Sequence, residues 1–304
     1  MSTERSSPRY SDIDAWDAED IAEAIIEGQL AAVAAVHAAR GDIAAAASAI
    51  YSRLGDDGRL IYAGAGTSGR LAAQDGAELV PTFDWPEDRL LFLIAGGHDA
   101  LLRSIEGAED DVQHAIALIE QHAISASDVL VAVAASGTTP FTLACLREGK
   151  RRGALTVGIA NNSASPLLLE ADYAIYLATG SEPIAGSTRL KAGTAQKVTL
   201  NTLSSLLMIL LGKVYRGLMV DVRALNEKLS RRSEHMLIQL TGCDSTEARN
   251  ALNLANGRVK VAALLLEGYD LDAAEQILHA SGNRLGDALA LAAKRGLAGK
   301  SPRA

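Results

Sequence analysis

Five short apolar runs dominate the middle of the sequence, and helix-like segments lie between most of them. The runs are Arg59–Ala63, Leu90–Ala95, Val129–Ala134, Leu155–Ala160 and Tyr173–Leu177. The helical segments are 68–79, 98–105, 111–122 and 140–151. Strands that alternate with helices form βαβ units, so the pattern predicts an α/β fold with a doubly wound parallel sheet flanked by helices. Ligands of such sheets bind beyond the carboxyl ends of the strands.

Helical segments also flank this α/β region. The alanine-rich stretch from Ala18 to Leu54 predicts two helices, with Asp42 as the N-cap of the second. A longer helix is predicted from Leu190 to Val214, because leucines recur there at helical spacing. These leucines indicate core packing rather than a cofactor site.

The C-terminal part is helical and weakly repetitive. Over residues 243–295, the helix-ending pair Asn256–Gly257 recurs as Gly282–Asn283, at an offset of 26 residues. Two helical hairpins are therefore expected, in a small domain that resembles ubiquitin-associated folds. We expect three parts: an N-terminal arm with helices over 1–54, the α/β domain over 55–240, and the helical domain over 241–304.

Composition restricts the partners and the compartment. A net charge of −8 argues against nucleic acid as a partner, although a local nest of N–H groups can still hold a small anion. Neither Cys145 nor Cys243 has the spacing of a metal site or a redox motif, which indicates a reducing compartment. Residues 1–20 lack the apolar core of a signal peptide. We therefore expect a cytoplasmic protein without a membrane partner.

The first candidate site is Gly64–Arg70, which follows a predicted strand and opens a helix. Its glycines allow a tight turn and close approach to a ligand, and Thr67 and Ser68 place hydroxyls beside free helix N–H groups. Gly64, Gly66 and Gly69 also fit the G-x-G-x-x-G pattern of dinucleotide-binding loops. However, no acidic residue ends a second strand about twenty residues on, so NAD is disfavoured.

The second candidate site is Ala135–Pro140, again between a strand and a helix. Ser136, Thr138 and Thr139 cluster around Gly137, where helix amides point outward. A helix cap needs only one hydroxyl, so three favour a phosphate cradle. The segment lacks the Gly-Lys-Ser/Thr of a P-loop, which disfavours a nucleoside triphosphate.

These two loops resemble those of the sugar isomerase (SIS) domain family, which binds phosphosugars at hydroxyl-rich turns. Longer motifs are similar to the N-acetylmuramic acid 6-phosphate etherase family. They are Gly58–Leu71, Asp75, Ala77–Glu78, Pro81–Phe83, Ile94–Gly97, Glu106–Asp111, Gly186–Lys197, Leu218–Val222 and Asn226–Leu229, with a looser match at Thr3–Arg5. The resemblance covers nearly the whole chain. The stretch Ala77–Pro81, in which Glu78 is kept but its neighbours are more apolar, and residues 182–185 depart from the family pattern.

The resemblance implies cleavage of the ether between sugar C3 and D-lactate, with release of N-acetylglucosamine 6-phosphate in cell-wall recycling. In the ring-opened sugar, the C1 aldehyde acidifies the proton on C2. A base can remove that proton while an acid protonates the departing lactyl oxygen, and water then adds at C3. Two carboxyl groups suffice, so no metal and no organic cofactor are implied.

The resemblance also implies roles for individual residues. Glu78 and Glu109 match the catalytic positions, and apolar Leu79 and Val80 are expected to favour protonated Glu78 by desolvation. The expected substrate-binding residues are Gly66, Thr67, Ser68, Ser136, Gly137, Thr138, Thr139, Ser187, Thr188 and Lys191. Lys191 could equally be a surface lysine, and His98 is not required. Because SIS domains pair, a homodimer with sites near the interface is implied.

Two alternatives remain open at the level of sequence. A phosphosugar aldose–ketose isomerase would share the cradle and the proton abstraction but would not need an acid at C3. A non-catalytic phosphosugar-binding regulator is expected to be about twice as long, with two SIS domains. Release of lactate distinguishes the etherase from both.

Overall fold

The computed structural model describes residues 3–221 and 227–299, so Val222 and Asn226 of the family motifs lie outside the described residues. The described residues divide into two compact units. One comprises 3–77 and 86–207, and the other comprises 78–85, 208–221 and 227–299.

A five-stranded parallel sheet forms the centre of the first unit. Its strands are β1 Leu60–Gly64, β2 Leu90–Ile94, β3 Val129–Val133, β4 Leu155–Ala160 and β5 Tyr173–Tyr176. Their order is β2-β1-β3-β4-β5, and every residue of β1, β3 and β4 is buried, as two-sided packing requires. The predicted α/β fold and all five strands are confirmed. The chain order reverses between β1 and β3, which is where such sheets open a crevice.

Seven α-helices begin along the described chain before residue 208. They are α1 Ala18–Ala38, α2 Arg40–Leu54, α3 Gly66–Phe83, α4 Val112–Gln121, α5 Pro140–Arg151, α6 Pro166–Glu170 and α7 Lys191–Leu210. Helix α2 starts at Arg40, so Asp42 lies inside its first turn and the predicted N-cap is wrong. The helix predicted over 98–105 is only a 3₁₀ turn, His98–Leu101, followed by a loop.

Helix α1 leaves much of its apolar surface uncovered. Its small residues, Ala24, Gly28 and Ala32 among them, face inward, whereas Ile26, Leu30 and Val33 are exposed at 61%, 69% and 49%. Of the described helices, only α1 is long and apolar enough to cross a membrane, with a mean hydropathy of 1.3. Length and composition do not distinguish such a span from a helix that packs against protein.

The second unit is a helical bundle with a small hairpin. The hairpin pairs β6 Val214–Tyr215 with β7 Leu218–Met219, and its turn residues Arg216 and Gly217 both have positive φ, as two-residue hairpin turns demand. The helices are α8 Glu227–Thr241, α9 Ser245–Leu254, α10 Val259–Leu266, α11 Leu271–Ala280 and α12 Leu285–Gly299. The hairpin was not predicted, because its strands have only two residues each.

The 26-residue repeat corresponds to real structure in this unit. Asn256, Gly257, Gly282 and Asn283 all have positive φ and end helices in the left-handed conformation. The N-caps repeat too: Asp244 caps α9 and Asp270 caps α11. The two predicted helical hairpins are confirmed.

Candidate functional site

The loop between β1 and α3 makes a tight turn with close backbone contact. A Cβ on Gly64 would lie 2.9 Å from the Cα of Gly69, so only glycine permits this approach of strand to helix. Gly66 has a φ of +53°, in the region that favours glycine. Thr67 and Ser68 consequently lie in the first turn of α3, with Thr67 half-buried and Ser68 buried. Helix N–H groups at this position are available to a ligand.

The loop between β3 and α5 has more hydroxyl groups than capping requires. Thr139 is the N-cap residue of α5, yet its side chain makes no capping hydrogen bond. The Ser136 hydroxyl accepts the Thr138 N–H at 3.1 Å and lies 3.4 Å from the Thr139 hydroxyl. Pro140 occupies the first turn, where its missing N–H costs nothing. The three half-buried hydroxyls therefore form a cluster suited to an anion at the start of a 12-residue helix.

Gly137, in the middle of this cluster, is held against the loop that follows β4. Its φ is +69°, and a Cβ there would lie 2.2 Å from the Ser165 Oγ and 2.5 Å from the Ser165 Cβ. The Leu167 N–H also donates to the Gly137 carbonyl at 3.1 Å. The Ser165 hydroxyl is buried and has no hydrogen-bond partner among the described residues. No residue other than glycine fits this place without displacing Ser165.

The segment before α7 is fixed by a buried carboxylate. Glu182 is 0% exposed and accepts the N–H groups of Lys191 at 3.1 Å and Ala192 at 2.9 Å, which caps α7. Burial raises the pKa of Glu182, although these two N–H bonds and the nearby Lys191 act to lower it. The Lys191 side chain is 9% exposed, and a Cβ on Gly28 would lie 3.7 Å from its Cδ. The view of Lys191 as an ordinary surface lysine is therefore wrong.

Ser187 and Thr188 lie in a tight turn that leads into α7. The Ser187 N–H donates to the Ile184 carbonyl at 2.9 Å, and the Gly193 N–H donates to the Thr188 carbonyl at 2.8 Å. A Cβ on Gly193 would lie 3.5 Å from the Thr67 Cγ2. The first turn of α7 therefore meets the first turn of α3, and the β3–α5 loop follows the neighbouring strand.

Thr3 is a component of this region that local patterns did not identify. It is 0% exposed, its N–H donates to the Asn162 Oδ1 at 3.4 Å, and its Oγ1 accepts the Asn162 Nδ2 at 2.9 Å. The Thr3 carbonyl accepts the Gly186 N–H at 3.2 Å. Only the family motif at Thr3–Arg5 could have indicated a role, because the partners are distant in sequence.

Asp75 is a second buried polar residue beside these loops. Its carboxylate accepts hydrogen bonds from the Tyr62 hydroxyl at 2.9 Å, the Asn201 Nδ2 at 2.6 Å and the Ser204 hydroxyl at 3.1 Å. Burial raises the pKa of Asp75, against the lowering effect of these three bonds. The network ties β1, α3 and α7 together behind the loops.

Both candidate catalytic glutamates are exposed to solvent in the single chain. Glu78 lies in α3, and Glu109 lies in the 3₁₀ turn Ala108–Asp110, which follows Gly107 in the left-handed conformation. Leu79 is only 2% exposed. Successive helical residues point about 100° apart, so a buried Leu79 and an exposed Glu78 can be neighbours in the sequence. The expectation that Leu79 and Val80 desolvate Glu78 is therefore wrong for the isolated chain, in which Glu78 is exposed, and the pairing of the two glutamates remains a prediction.

The polar groups at the three loops suit an anion better than a cation. The Glu182 carboxylate is already engaged by the N–H groups of Lys191 and Ala192, and the other groups are hydroxyls, backbone N–H groups and one ammonium. Hard cations require oxygen ligands such as free carboxylates. Within 3–221 and 227–299, no three His, Cys, Asp or Glu side chains converge as metal ligands.

The parallel sheet, with hydroxyl-bearing loops after the adjacent strands β1 and β3, is the arrangement of a SIS-type phosphosugar-binding domain. A sequence profile of the SIS domain matches residues 98–206, and a profile of the glucokinase regulatory protein N-terminal SIS domain matches residues 42–150. Among solved structures, a phosphoheptose isomerase from Francisella tularensis is 18% identical, with a TM-score of 0.46, and the match covers 64% of this chain and 98% of that one.

Curated relatives define the family more narrowly. The N-acetylmuramic acid 6-phosphate etherase of Deinococcus radiodurans is 49% identical over 281 residues, which is 92% of each chain. The etherase of the same name from Streptomyces coelicolor is 46% identical over 96% of this chain and 94% of that one. This chain therefore belongs to the N-acetylmuramic acid 6-phosphate etherase family.

Proposed function

We propose that this chain is a carbon–oxygen lyase that converts N-acetylmuramic acid 6-phosphate and water into N-acetylglucosamine 6-phosphate and D-lactate. The observation that carries the proposal is the hydroxyl cluster between β1 and β3, where the strand order reverses, in a chain that matches an etherase over 92% of both lengths. Because Thr139 does not cap α5 with its side chain, its hydroxyl is available to a phosphate. The Ser136 hydroxyl accepts the Thr138 N–H and keeps its own hydrogen to donate, and the Thr138 hydroxyl completes the cluster. Hydroxyls and helix N–H groups bind phosphate without a net positive charge.

The reaction needs one base and one acid. In the open-chain sugar, a carboxylate removes the proton from C2, which the aldehyde at C1 has acidified. The electron pair forms the C2–C3 double bond, the C3–oxygen bond breaks, and a carboxylic acid protonates the departing lactyl oxygen. Water then adds to C3, and a proton returns to C2. We assign these steps to Glu78 and Glu109, with Glu78 as the proton donor.

The remaining predicted contacts follow from the loops. Gly66, Thr67 and Ser68 contact the sugar or its phosphate from the start of α3. Ser187 and Thr188 approach from the turn before α7, and the first turn of α7 meets Thr67 through Gly193. Because Lys191 is buried in the first turn of α7, its ammonium acts as a fixed charge toward the phosphate or the lactyl carboxylate rather than as a mobile surface group.

A lactate assay tests the function directly. Purified protein is incubated with N-acetylmuramic acid 6-phosphate, and D-lactate is measured enzymatically. We expect release by the wild type and by Glu106→Gln, an exposed glutamate of the same loop as Glu109. Glu78→Gln and Glu109→Gln are expected to lower kcat by at least about 10²-fold, the typical contribution of general acid–base catalysis. Formation of a keto sugar phosphate without lactate would instead identify an isomerase.

We further propose that the chain forms a homodimer through α1. Ile26, Leu30 and Val33 recur at spacings of four and three, so they form one apolar stripe on that helix. A second copy covering this stripe would account for an apolar face that the single chain leaves exposed. We expect Leu30→Arg to be a monomer by light scattering. The control variant Glu19→Arg, at the exposed start of the helix, is expected to remain a dimer. A Leu30→Arg variant that is still a dimer refutes the α1 interface.

The proposed compartment is the cytoplasm, with no membrane and no nucleic-acid partner. The same apolar stripe on α1 accounts for its membrane-like composition without a lipid contact. Flotation with phospholipid vesicles is expected to leave the protein in the aqueous fraction. The three-part division at residues 54/55 and 240/241 remains our proposal for the limits of the arm, the phosphosugar-binding domain and the helical domain.

A further inference from the structure

We propose that Thr3 is a positioning residue. It links the phosphate cradle, Ser136–Thr139, to the turn before α7, Gly186–Thr188, which is called the substrate turn below. The inference rests on the proposed function of those two loops. It assigns a role to residues 3–7, the first described residues of the N-terminal arm, which lie far ahead of the α/β domain in the sequence.

The link starts at the cradle. Asn162 follows β4, is 4% exposed, and donates from its Nδ2 to the carbonyl of Ala135 at 2.9 Å. Ala135 is the residue immediately before Ser136. The same Nδ2 donates to the Thr3 Oγ1 at 2.9 Å, while the Asn162 Oδ1 accepts the Thr3 N–H at 3.4 Å. Thr3 and the cradle therefore share one amide side chain.

The link ends at the substrate turn. The carbonyl of Thr3 accepts the N–H of Gly186 at 3.2 Å. Gly186 has a φ of +75° and immediately precedes Ser187, so this bond fixes the point where the turn reverses direction. The continuous path is Ala135, Asn162, Thr3 and Gly186, and it bridges two loops that are distant in sequence.

Burial makes this link specific rather than incidental. Thr3 is 0% exposed, whereas the adjacent Glu4 and Arg5 are exposed. A buried polar side chain must keep its hydrogen bonds, because losing one of them without a replacement from water is costly. Among residues 3–7, Thr3 is therefore the buried one, and its hydrogen bonds reach both loops.

The expected consequence is a weaker hold on substrate rather than slower chemistry. Thr3→Val keeps the shape and the backbone bonds but removes one of the two acceptors of the Asn162 Nδ2, so Asn162 stays bound to the Ala135 carbonyl and loses its side-chain bond to Thr3. The hydroxyls of Ser136 and Ser187 then lose part of their fixed separation. We expect KM to rise about fivefold, the effect of one lost buried hydrogen bond, with kcat nearly unchanged.

The test compares Thr3→Val and four further variants with the wild type in the lactate assay, together with thermal unfolding. Thr3→Ser restores the hydroxyl and is expected to return KM to the wild-type value. Ser11→Ala removes an exposed hydroxyl near the arm and serves as the matched control. Asn162→Ala raises KM, and the double variant Thr3→Val with Asn162→Ala raises it no further than Asn162→Ala alone, because both act through one path.

Three results would overturn the proposal. They are an unchanged KM in Thr3→Val, an equal loss in Thr3→Ser, and fully additive effects in the double variant. Unfolding of Thr3→Val at the assay temperature would also count against it, since the loss of activity would then reflect a folding defect alone. Failure of the proposed function is separate, because it is seen as the absence of lactate in the wild type.

Discussion

Gly137 provides the sharpest structural prediction, because two distinct costs can be separated there. Gly137→Ala must hold an alanine at a φ of +69°, which costs about 1–2 kcal/mol in the free energy of unfolding. Its methyl group would also lie 2.2 Å from the Ser165 Oγ, a clash of the kind that costs about 1–3 kcal/mol. The predicted total is about 3 kcal/mol, and the KM for substrate should rise because the cradle is displaced.

Gly180→Ala is the matched control. Gly180 has the same φ of +69°, but a Cβ there meets no atom within 4 Å, so only the backbone cost of about 1–2 kcal/mol applies. Adding Ser165→Gly to Gly137→Ala should recover most of the difference, since Ser165 makes no capping bond to α6. Urea unfolding followed by circular dichroism measures all three. Equal destabilisation by Gly137→Ala and Gly180→Ala would refute the claim that Ser165 fixes the cradle.

Two further predictions concern pH and metals. Because burial raises the pKa of Asp75 above its ordinary value of 3.8, the folded state binds that proton more tightly than the unfolded state does. Protonated Asp75 therefore stabilises the fold below pH 3.8, and this stabilisation is lost as the pH rises through the folded pKa. In Asp75→Asn, the free energy of unfolding should consequently decrease less steeply with pH over that window than it does in the wild type. An unchanged slope in urea titrations of the variant would contradict this sign. Lactate release should also be the same with and without EDTA, since two carboxyl groups supply the acid and the base; loss of activity that added Mg²⁺ or Zn²⁺ restores would require a metal in the mechanism.

The fold was predictable because its signals are local. Buried parallel strands read as continuous apolar runs, and helix ends read as Asn–Gly pairs whose φ angles are positive in the structure. The error at Asp42 arose at a junction without a loop. Ala39 ends α1 and also precedes α2, so the chain passes between helices before the capping signal is reached.

The site was predictable only in part, because its loops are held by contacts between residues that are far apart in the sequence. The hydroxyls of Ser136 and Thr139 are visible as a local cluster. The reason that Gly137 must be glycine lies at Ser165, and the partner of Thr3 lies 159 residues away at Asn162. No periodicity or spacing reports such contacts. Exposure of Glu78 likewise could not be foreseen, since the orientation of Leu79 depends on the packing of α3.

Isotope incorporation tests the central claim most directly. The reaction is run in D₂O and, separately, in H₂¹⁸O, and both products are analysed by mass spectrometry. Elimination followed by water addition predicts one deuterium at C2 and one ¹⁸O at C3 of N-acetylglucosamine 6-phosphate, with no ¹⁸O in the released D-lactate. Lactate that carries the ¹⁸O, or sugar phosphate without deuterium at C2, would contradict the account.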